Sequence, residues 1–339
     1  MSDKDNNNKK VTSVEVARLA GVSRSAVSRS FTPNASVSQE TREKVMQAAQ
    51  ALGYRVNKLA SSLINNRSDL VGIIASNMDN PFRSRQVEYL AKTLLANNLR
   101  PILLLVEGEE DPSRIIGMLL EYNVSGVIVT SDTPPQSICE ECVTLGVPMV
   151  LVNKDQTDAR VDRVLLDNPR SGRIAAETLF ASGCRRLAVV TTLKPSYSLH
   201  VRVGAFTERC RSLGIETVAR FSASEQSYDG GRYAADCLMA APEQTDGVFC
   251  VSDYMAMGFL DQLRLKQQIA VPQRLKVISC DDIPQAGWPV YDLSSIRQDP
   301  EQLAEMVVKV LLERIHNPEI PAAVKVLDVS LTERNSTAN

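Results

Sequence analysis

The period of the hydrophobic positions changes at about residue 69 of this 339-residue chain. Before that point, apolar residues recur at helical spacing in three short blocks. Thr12-Ser13-Val14-Glu15 has the spacing of a capping box, in which the Thr hydroxyl accepts from the amide three residues on and the Glu carboxylate returns to the Thr amide. The helix so opened, from about residue 13, carries Val16, Ala17, Leu19 and Ala20 on its apolar face and stops at Gly21. Ser23 is placed to cap a second helix from Arg24, with Ala26, Val27 and Phe31 toward a core and Arg24, Ser25, Ser28 and Arg29 outward. A third helix, Gln39 to Leu52, follows the cap Ser38, repeats Val45, Ala48, Ala49 and Leu52 at helical spacing and stops at Gly53. Two short helices joined by Ala-Gly-Val signal a helix-turn-helix. The outward face of the second is short, polar and basic, as a major groove requires.

From Asp69 onward the pattern is one of short apolar strands between amphipathic helices: VGIIA at 71, PILLLV at 101, GVIVT at 126 and PMVLV at 148. A second series follows, with LAVVTT at 187, TVARF at 217, GVFCVS at 247 and LKVISCDD at 275. Such alternation predicts parallel α/β sheets. Two similar wound halves imply a cleft between them, with a ligand beyond the carboxyl ends of the strands.

Composition narrows the class. With 44% hydrophobic, 5% aromatic and 23% charged residues, the chain reads as ordinary globular material with room for two or three domains. The longest apolar runs, such as Ile102 to Val106, fall far short of the roughly 18 residues a spanning helix needs. The start MSDKDNNNKK has no apolar export region, so no membrane partner and a cytoplasmic location, with nucleoid association through DNA, are expected. Seven cysteines (139, 142, 184, 210, 237, 250 and 280) are scattered through apolar segments, as reduced buried thiols would be. The formal net charge of -2 conceals an asymmetry: residues 1–68 hold eleven Lys+Arg against five Asp+Glu, and the remainder 27 against 35. A basic head on an acidic body points to a polyanion partner.

Motifs for catalysis are missing. There is no GxxxxGK[ST], HExxH or GxSxG, and only His200 and His316 are present for histidine chemistry. Cys139-Glu-Glu-Cys142 has CxxC spacing but lacks a second pair or a nearby His, so neither a metal nor another cofactor is expected. The chain reads as a non-enzyme.

VTSVEVARLAGVSRSAVSRSF followed by VSQETREKVMQAAQALGY closely resembles the DNA-binding head of the lactose repressor and galactose repressor (LacI/GalR) family of bacterial transcriptional regulators. The resemblance implies that Arg24 and Ser25 hold the most operator-specific positions and that Arg29 meets a base edge. It puts Thr12, Ser23, Ser28, Thr41 and Tyr54 at phosphate-positioning sites. Glu15 stands where the family usually has Asp, which keeps the cap. YRVNKLASSLINNRS is similar to the family's hinge, with Asn57, Ala60 and Leu63 on matching positions. A hinge this short cannot hold a helix alone, so it is expected to order with its dimer mate on DNA, where Leu63 would wedge into the minor groove.

The resemblance extends over the body and implies a two-lobed, periplasmic-binding-protein-like (type I) α/β effector domain behind the small all-α head. The expected organisation is a disordered polar arm (1–10), a helix-turn-helix domain (11–56), a hinge and linker (57–68), an effector and dimerisation domain (69–330) and a C-terminal tail (331–339). Within the body, the N-lobe would span about 69–165 and 299–330, the C-lobe about 166–298. The closing LTERNST at 331–337 matches a family phrase, with no heptad tail after it, so a homodimer is expected. By the same resemblance Asn77, Asp79 and Phe82 belong to a first ligand loop, Asn153 to a polar ligand contact, and Ser198 and Arg202 to the family's Ser and effector-binding Arg. Ser252 and Asp253 sit at a strand-to-helix turn, where Asp253 either meets ligand or caps the helix. Asp281 matches a ligand-holding carboxylate, and Trp288 and Gln298 fall on loops expected to face the cleft. Arg83, with Lys154 and Lys194, makes the cleft mouth basic, which favours a sugar phosphate or sugar acid over a neutral sugar.

The expected function is a palindrome-binding transcriptional regulator, a repressor on family grounds, controlled by a small-molecule sugar-type effector. A solute-binding transport protein or a sugar-phosphate enzyme on the same scaffold are the alternatives. The first needs a signal peptide and no head; the second needs acid, base or metal groups.

Overall fold

The computed structural model describes residues 11–32, 35–55, 68–106, 112–130, 136–154, 160–241, 244–266 and 268–338. Residues 1–10, expected to be a polar arm, and the hinge residues Asn57, Ala60 and Leu63 lie outside the described residues. The chain forms two compact units, 1–68 and 69–339.

In the first unit, helices α1 (Ser13–Ala20), α2 (Arg24–Ser30) and α3 (Gln39–Leu52) close around Val16, Ala17, Val27, Val45, Ala48 and Ala49. The caps are those the sequence announces. The Glu15 carboxylate accepts from the Thr12 amide at 2.7 Å, Ser23 Oγ accepts from the Ala26 amide at 3.2 Å and Ser38 Oγ from the Thr41 amide at 3.2 Å. Gly21 and Gly53, both at φ 65°, end α1 and α3 in the left-handed conformation that glycine adopts without steric cost. Arg42 fastens the α2–α3 loop by donating to the carbonyls of Ser30 (2.6 Å) and Ala35 (3.4 Å).

The second unit has two six-stranded sheets. Sheet 1 runs β11–β5–β4–β3–β1–β2 and is wholly parallel, from β1 (Leu70–Ala75), β2 (Arg100–Leu105), β3 (Gly126–Val129), β4 (Met149–Val152), β5 (Asp162–Leu166) and β11 (Val324–Leu327). Sheet 2 runs β12–β10–β9–β8–β6–β7, from β6 (Leu187–Thr192), β7 (Ala219–Ala223), β8 (Gly247–Cys250), β9 (Lys276–Asp281), β10 (Ser294–Arg297) and β12 (Ser330–Thr332). Among the described residues, only β12 pairs antiparallel. Strands β3, β4, β6 and β8 are buried at every residue, as continuous apolar runs in sheets covered on both faces should be.

Helices α4 (Pro81–Ala96), α5 (Pro112–Glu121), α6 (Gln136–Thr144) and α11 (Pro300–His316) belong to the N-lobe around sheet 1. Helices α7 (Asn168–Ala181), α8 (Tyr197–Ser212), α9 (Tyr228–Ala240) and α10 (Asp253–Leu265) belong to the C-lobe. Strand membership puts the crossings between lobes after β5, after β10 and after β11.

The closing segment departs from the expectation of a tail. β12 adds an edge strand to sheet 2, and the buried Ser336 donates to the Val277 carbonyl at 2.6 Å while accepting from the Ser294 amide at 2.8 Å. The C-lobe therefore takes in residues 330–337, because β10 would otherwise leave its outer hydrogen bonds unmade.

Candidate functional site

Polar residues gather where both sheets end. Facing the cleft from the N-lobe are Asn80, Phe82, Arg83, Gln86, Thr130, Val152 and Asn153; from the C-lobe come Ser196, Ser198, Leu199, Arg202, Gln226, Asp281 and Gln298. The space they enclose is about 50 Å³, against roughly 300–1,000 Å³ for ordinary ligand pockets, so the lobes are close together.

Local sequence explains how these side chains are aimed. Asn80-Pro81 starts α4: the Asn80 side chain accepts from the Phe82 and Arg83 amides at 3.0 and 3.4 Å, and proline supplies the first helical φ. Arg83 is thereby held in the first turn, where Nη2 donates to Gln226 Oε1 of the other lobe at 3.3 Å. Asn153, at φ 55° just past β4, accepts from the Leu166 amide at 2.8 Å, leaving its NH₂ as the group it can offer.

On the C-lobe side Arg202 is 3% exposed and held by Asn168 and the Val251 carbonyl. Asp281 ends β9 at φ 124° and accepts from Gln298 Nε2 at 2.6 Å. Burial, seconded by the nearby Asp253 carboxylate, pushes the Asp281 carboxyl well above the usual range against the pull of Arg202 and Arg83.

Several residues expected at the cleft are placed elsewhere. Asn77 and Asp79 are exposed, because a left-handed turn at Asn77 (φ 51°) sends the loop outward before Asn80 returns inward. Trp288 is 51% exposed on the C-lobe loop and does not line the cleft. Lys194 is exposed, whereas Lys154 is buried. Ser252, not Asp253, caps α10, accepting from the Met255 amide. Asp253 is fully buried beneath the floor, where Ser295 Oγ (2.6 Å), Ser279 Oγ and the Ile283 amide (2.8 Å) donate to it. Burial lifts its carboxyl to about 6.

Asn80, Gln86, Thr130, Ser196 and Gln226 were not anticipated. The Asn-Pro helix start was a legible pointer to Asn80; the others are loop or helix polar residues with no local signature.

In the head, Arg24, Ser25, Ser28 and Arg29 form one exposed face of α2. Arg29 lies back along the helix, donating to the Ser25 carbonyl at 3.3 Å and to its hydroxyl at 3.4 Å. The Thr12 hydroxyl donates to Glu15 at 3.0 Å and Thr41 Oγ1 accepts from Ser38 at 2.8 Å, so these two hydroxyls already serve helix starts, as does Ser23. Tyr54 packs against Phe31 with ring centroids 5.9 Å apart.

Among the described residues no group of three or more His, Cys, Asp or Glu could hold a metal, and no helix is long and apolar enough to cross a membrane. Cys139 and Cys142 are buried, and burial pushes the Cys142 thiol up to about 12, away from thiolate chemistry.

Comparison with known proteins matches both units. Residues 14–57 fit the model of bacterial regulatory proteins of the lacI family, and residues 176–337 that of the periplasmic binding protein-like domain. The ribose operon repressor of Escherichia coli (strain K12) is 28% identical over 330 residues, covering 96% of this chain and 99% of that protein. The HTH-type transcriptional repressor CytR of the same organism is 26% identical, covering 96% of each. Among solved structures, the lac repressor dimer bound to operator and an anti-inducer shares the fold with a TM-score of 0.88 at 24% identity, over 98% of this chain and 100% of that one. A head that fits the lacI model and a body that fits the periplasmic binding protein-like model stand on one chain, which is built as a DNA-binding transcriptional repressor like the proteins it is similar to.

Proposed function

We propose that the chain binds a palindromic operator as a homodimer and is controlled by a sugar, sugar phosphate or sugar acid held between its lobes. The observation that carries the effector half is the cleft itself: two guanidinium groups, one carboxyl and a set of neutral hydrogen-bonding side chains converge from both lobes at the strand ends. The names of similar proteins support the chemistry. The similar repressors of E. coli include that of the ribose operon, and the regulator CelR, solved with cellobiose, is 27% identical with a TM-score of 0.72, over 96% of this chain and 100% of that one.

For operator binding, the exposed polar and basic face of α2 fits a major groove, where Arg24 would make forked bonds to guanine and Ser25 would allow close approach. Thr12, Ser23, Ser28, Thr41 and Tyr54 would flank it toward phosphates. Asn57, Ala60 and Leu63 would complete the contact in the minor groove. A second copy is favoured by β2, an edge strand of sheet 1 whose Leu103 (44% exposed) and Leu105 (47%) face outward. An exposed apolar edge is a liability unless covered. Effector binding in the cleft would alter the separation of the two hinge starts near residue 68 and so bias hinge order. By linkage, effector and operator change each other's affinity by the same factor.

The test is a thermal-shift panel of D-ribose, other neutral sugars, D-gluconate and sugar phosphates on the full-length protein, followed by operator selection from random duplexes with and without the stabilising compound. A stabilising sugar that changes operator affinity supports the reading. Stabilisation by purines alone, or selection of no palindrome, overturns it.

A further inference from the structure

The two walls of the cleft come from different lobes, yet polar side chains from both converge on one residue. Asn153, on the N-lobe wall, accepts through Oδ1 from the Leu166 amide at 2.8 Å. Asn168 donates through Nδ2 to the Leu166 carbonyl at 3.1 Å, and on its other side accepts through Oδ1 from Arg202 Nε (3.3 Å) and Nη2 (2.8 Å). The orientation of the Asn168 amide is dictated by its neighbours: arginine only donates and a carbonyl only accepts. Leu166 is the last residue of β5, where the chain first crosses between lobes, and the next amide, Asp167, donates to the Leu327 carbonyl at the third crossing (2.8 Å). Asn168 itself is 3% exposed.

We propose that Asn168 is a positioning residue for effector recognition: it aims Arg202 into the cleft and ties it, through Leu166, to the crossing between lobes. The inference rests on the reading of the cleft as the effector site. Its first support is the donor count. Of the five N–H groups of Arg202, Asn168 takes two and the Val251 carbonyl one from Nη1, which leaves one hydrogen on each terminal nitrogen. A hydroxyl or carboxylate oxygen in the cleft is what those two can bind.

The second support is the choice of an amide. Asparagine accepts two guanidinium hydrogen bonds without cancelling the charge, so Arg202 keeps its full attraction for an oxygen ligand; aspartate here would form a buried ion pair and spend that charge internally.

The third is Gly172, one turn along α7. A Cβ at that position would stand 2.3 Å from the Arg202 carbonyl and 2.6 Å from the Phe206 amide. The missing side chain lets α7 approach α8 closely enough for so short a side chain as Asn168 to reach the guanidinium. A ligand that engages Asn153 and Arg202 together then loads Leu166 from both lobes, which gives occupancy a direct route into the crossing strand.

The test compares full-length wild type with Asn168→Asp and Asn168→Ala. Binding of D-ribose, D-ribose 5-phosphate and D-gluconate is measured by calorimetry beside the melting temperature. The Arg202 Nε–H signal is followed by NMR in protein labelled with [¹⁵N]arginine, with no sugar present. Asn168→Asp keeps an acceptor for Arg202 but loses the donor to the Leu166 carbonyl, so it retains the protected Nε–H signal while whichever probe binds wild type is weakened by about tenfold or more, the scale of one charge-assisted contact. Asn168→Ala loses the signal as well. Binding by Asn168→Asp within twofold of wild type would overturn the proposal, since a purely structural role predicts that result. If none of the three probes binds wild type, the sugar reading fails by itself. The NMR arm then still decides the positioning role: an unchanged Arg202 signal in Asn168→Ala refutes it.

Discussion

Each lobe buries a carboxylate at the end of a strand, and the two are treated in opposite ways. In the N-lobe Asp162 opens β5 and is saturated: Arg314 donates to it through Nε and Nη2 at 2.9 Å each, and the Ala323 amide adds a bond at 2.7 Å. Arg314 in turn holds the carbonyls of Pro318, Ile320 and Pro321, fixing the return from α11 to β11. In the C-lobe Asp281 closes β9, takes a neutral partner in Gln298, and is pushed toward its protonated form by burial and by Asp253. The difference follows the polarity of the sheets. At the amino end of its strand a buried charge is matched and serves the fold; at the carboxyl end it is only partly matched and faces a cleft.

The comparison is most exposed to failure at Arg314. Arg314→Met leaves Asp162 buried without its cation and should cost about 3–5 kcal/mol in urea unfolding. A loss below 1 kcal/mol would show that the pair is not a structural lock. Next is Gly172→Ala, where the methyl must displace backbone of α8; a cost of roughly 1–3 kcal/mol is expected from overpacking, with the melting temperature falling accordingly. Asp281→Asn keeps an acceptor for Gln298, so its melting temperature should stay near wild type while the stabilisation conferred by a bound sugar disappears. A large drop in stability without sugar would erase the contrast with Asp162.

The pH profile supplies a subtler check. The Asp253 carboxyl is raised from an ordinary 3.8 to about 6, so between pH 4 and 6 the folded chain retains a proton that the unfolded chain releases. Its contribution to stability is therefore full below about pH 4 and declines as pH rises to about 6. Melting curves of wild type and Asp253→Asn across that range should converge toward higher pH, and parallel curves would contradict the assignment. Smallest is Ser38→Ala in the head, which removes the cap of α3 at a cost of about 1 kcal/mol; it should lower the melting of the 1–68 unit and leave sugar binding untouched.

What could be read from sequence tracks how local the determinants are. The head was legible nearly to the residue, because Thr12, Ser23, Ser38, Gly21 and Gly53 act within a turn of where they stand. The strands that announced themselves were the apolar runs, whether buried throughout like β3, β4, β6 and β8 or half-exposed at a sheet edge like β2 and β7. β5 alternates buried and half-buried positions behind Asp162 and Arg163, and β10 reads as polar because Ser294 and Ser295 are buried by virtue of distant partners, Arg334 and Asp253. In the cleft, Phe82, Arg83, Asn153, Ser198, Asp281 and Gln298 sit at or beside strand or helix ends, and Arg202 lies inside α8. Asn77, Asp79 and Trp288 lie apart because loop direction depends on single dihedral choices, such as the left-handed turn at Asn77, that residue identity does not dictate. Gln226 and Asn168 acquire their partners only through packing of distant segments.

The antiparallel edge strand β12 has a consequence for biosynthesis. Sheet 2 is not complete until residues 330–337 have been added, and sheet 1 waits for β11 at 324–327. A ribosome that has made nine-tenths of the chain therefore holds two unfinished sheets with bare flanks, the state in which nascent polypeptides call on chaperones. A chain cut short before residue 324 lacks an edge strand in each of its two sheets.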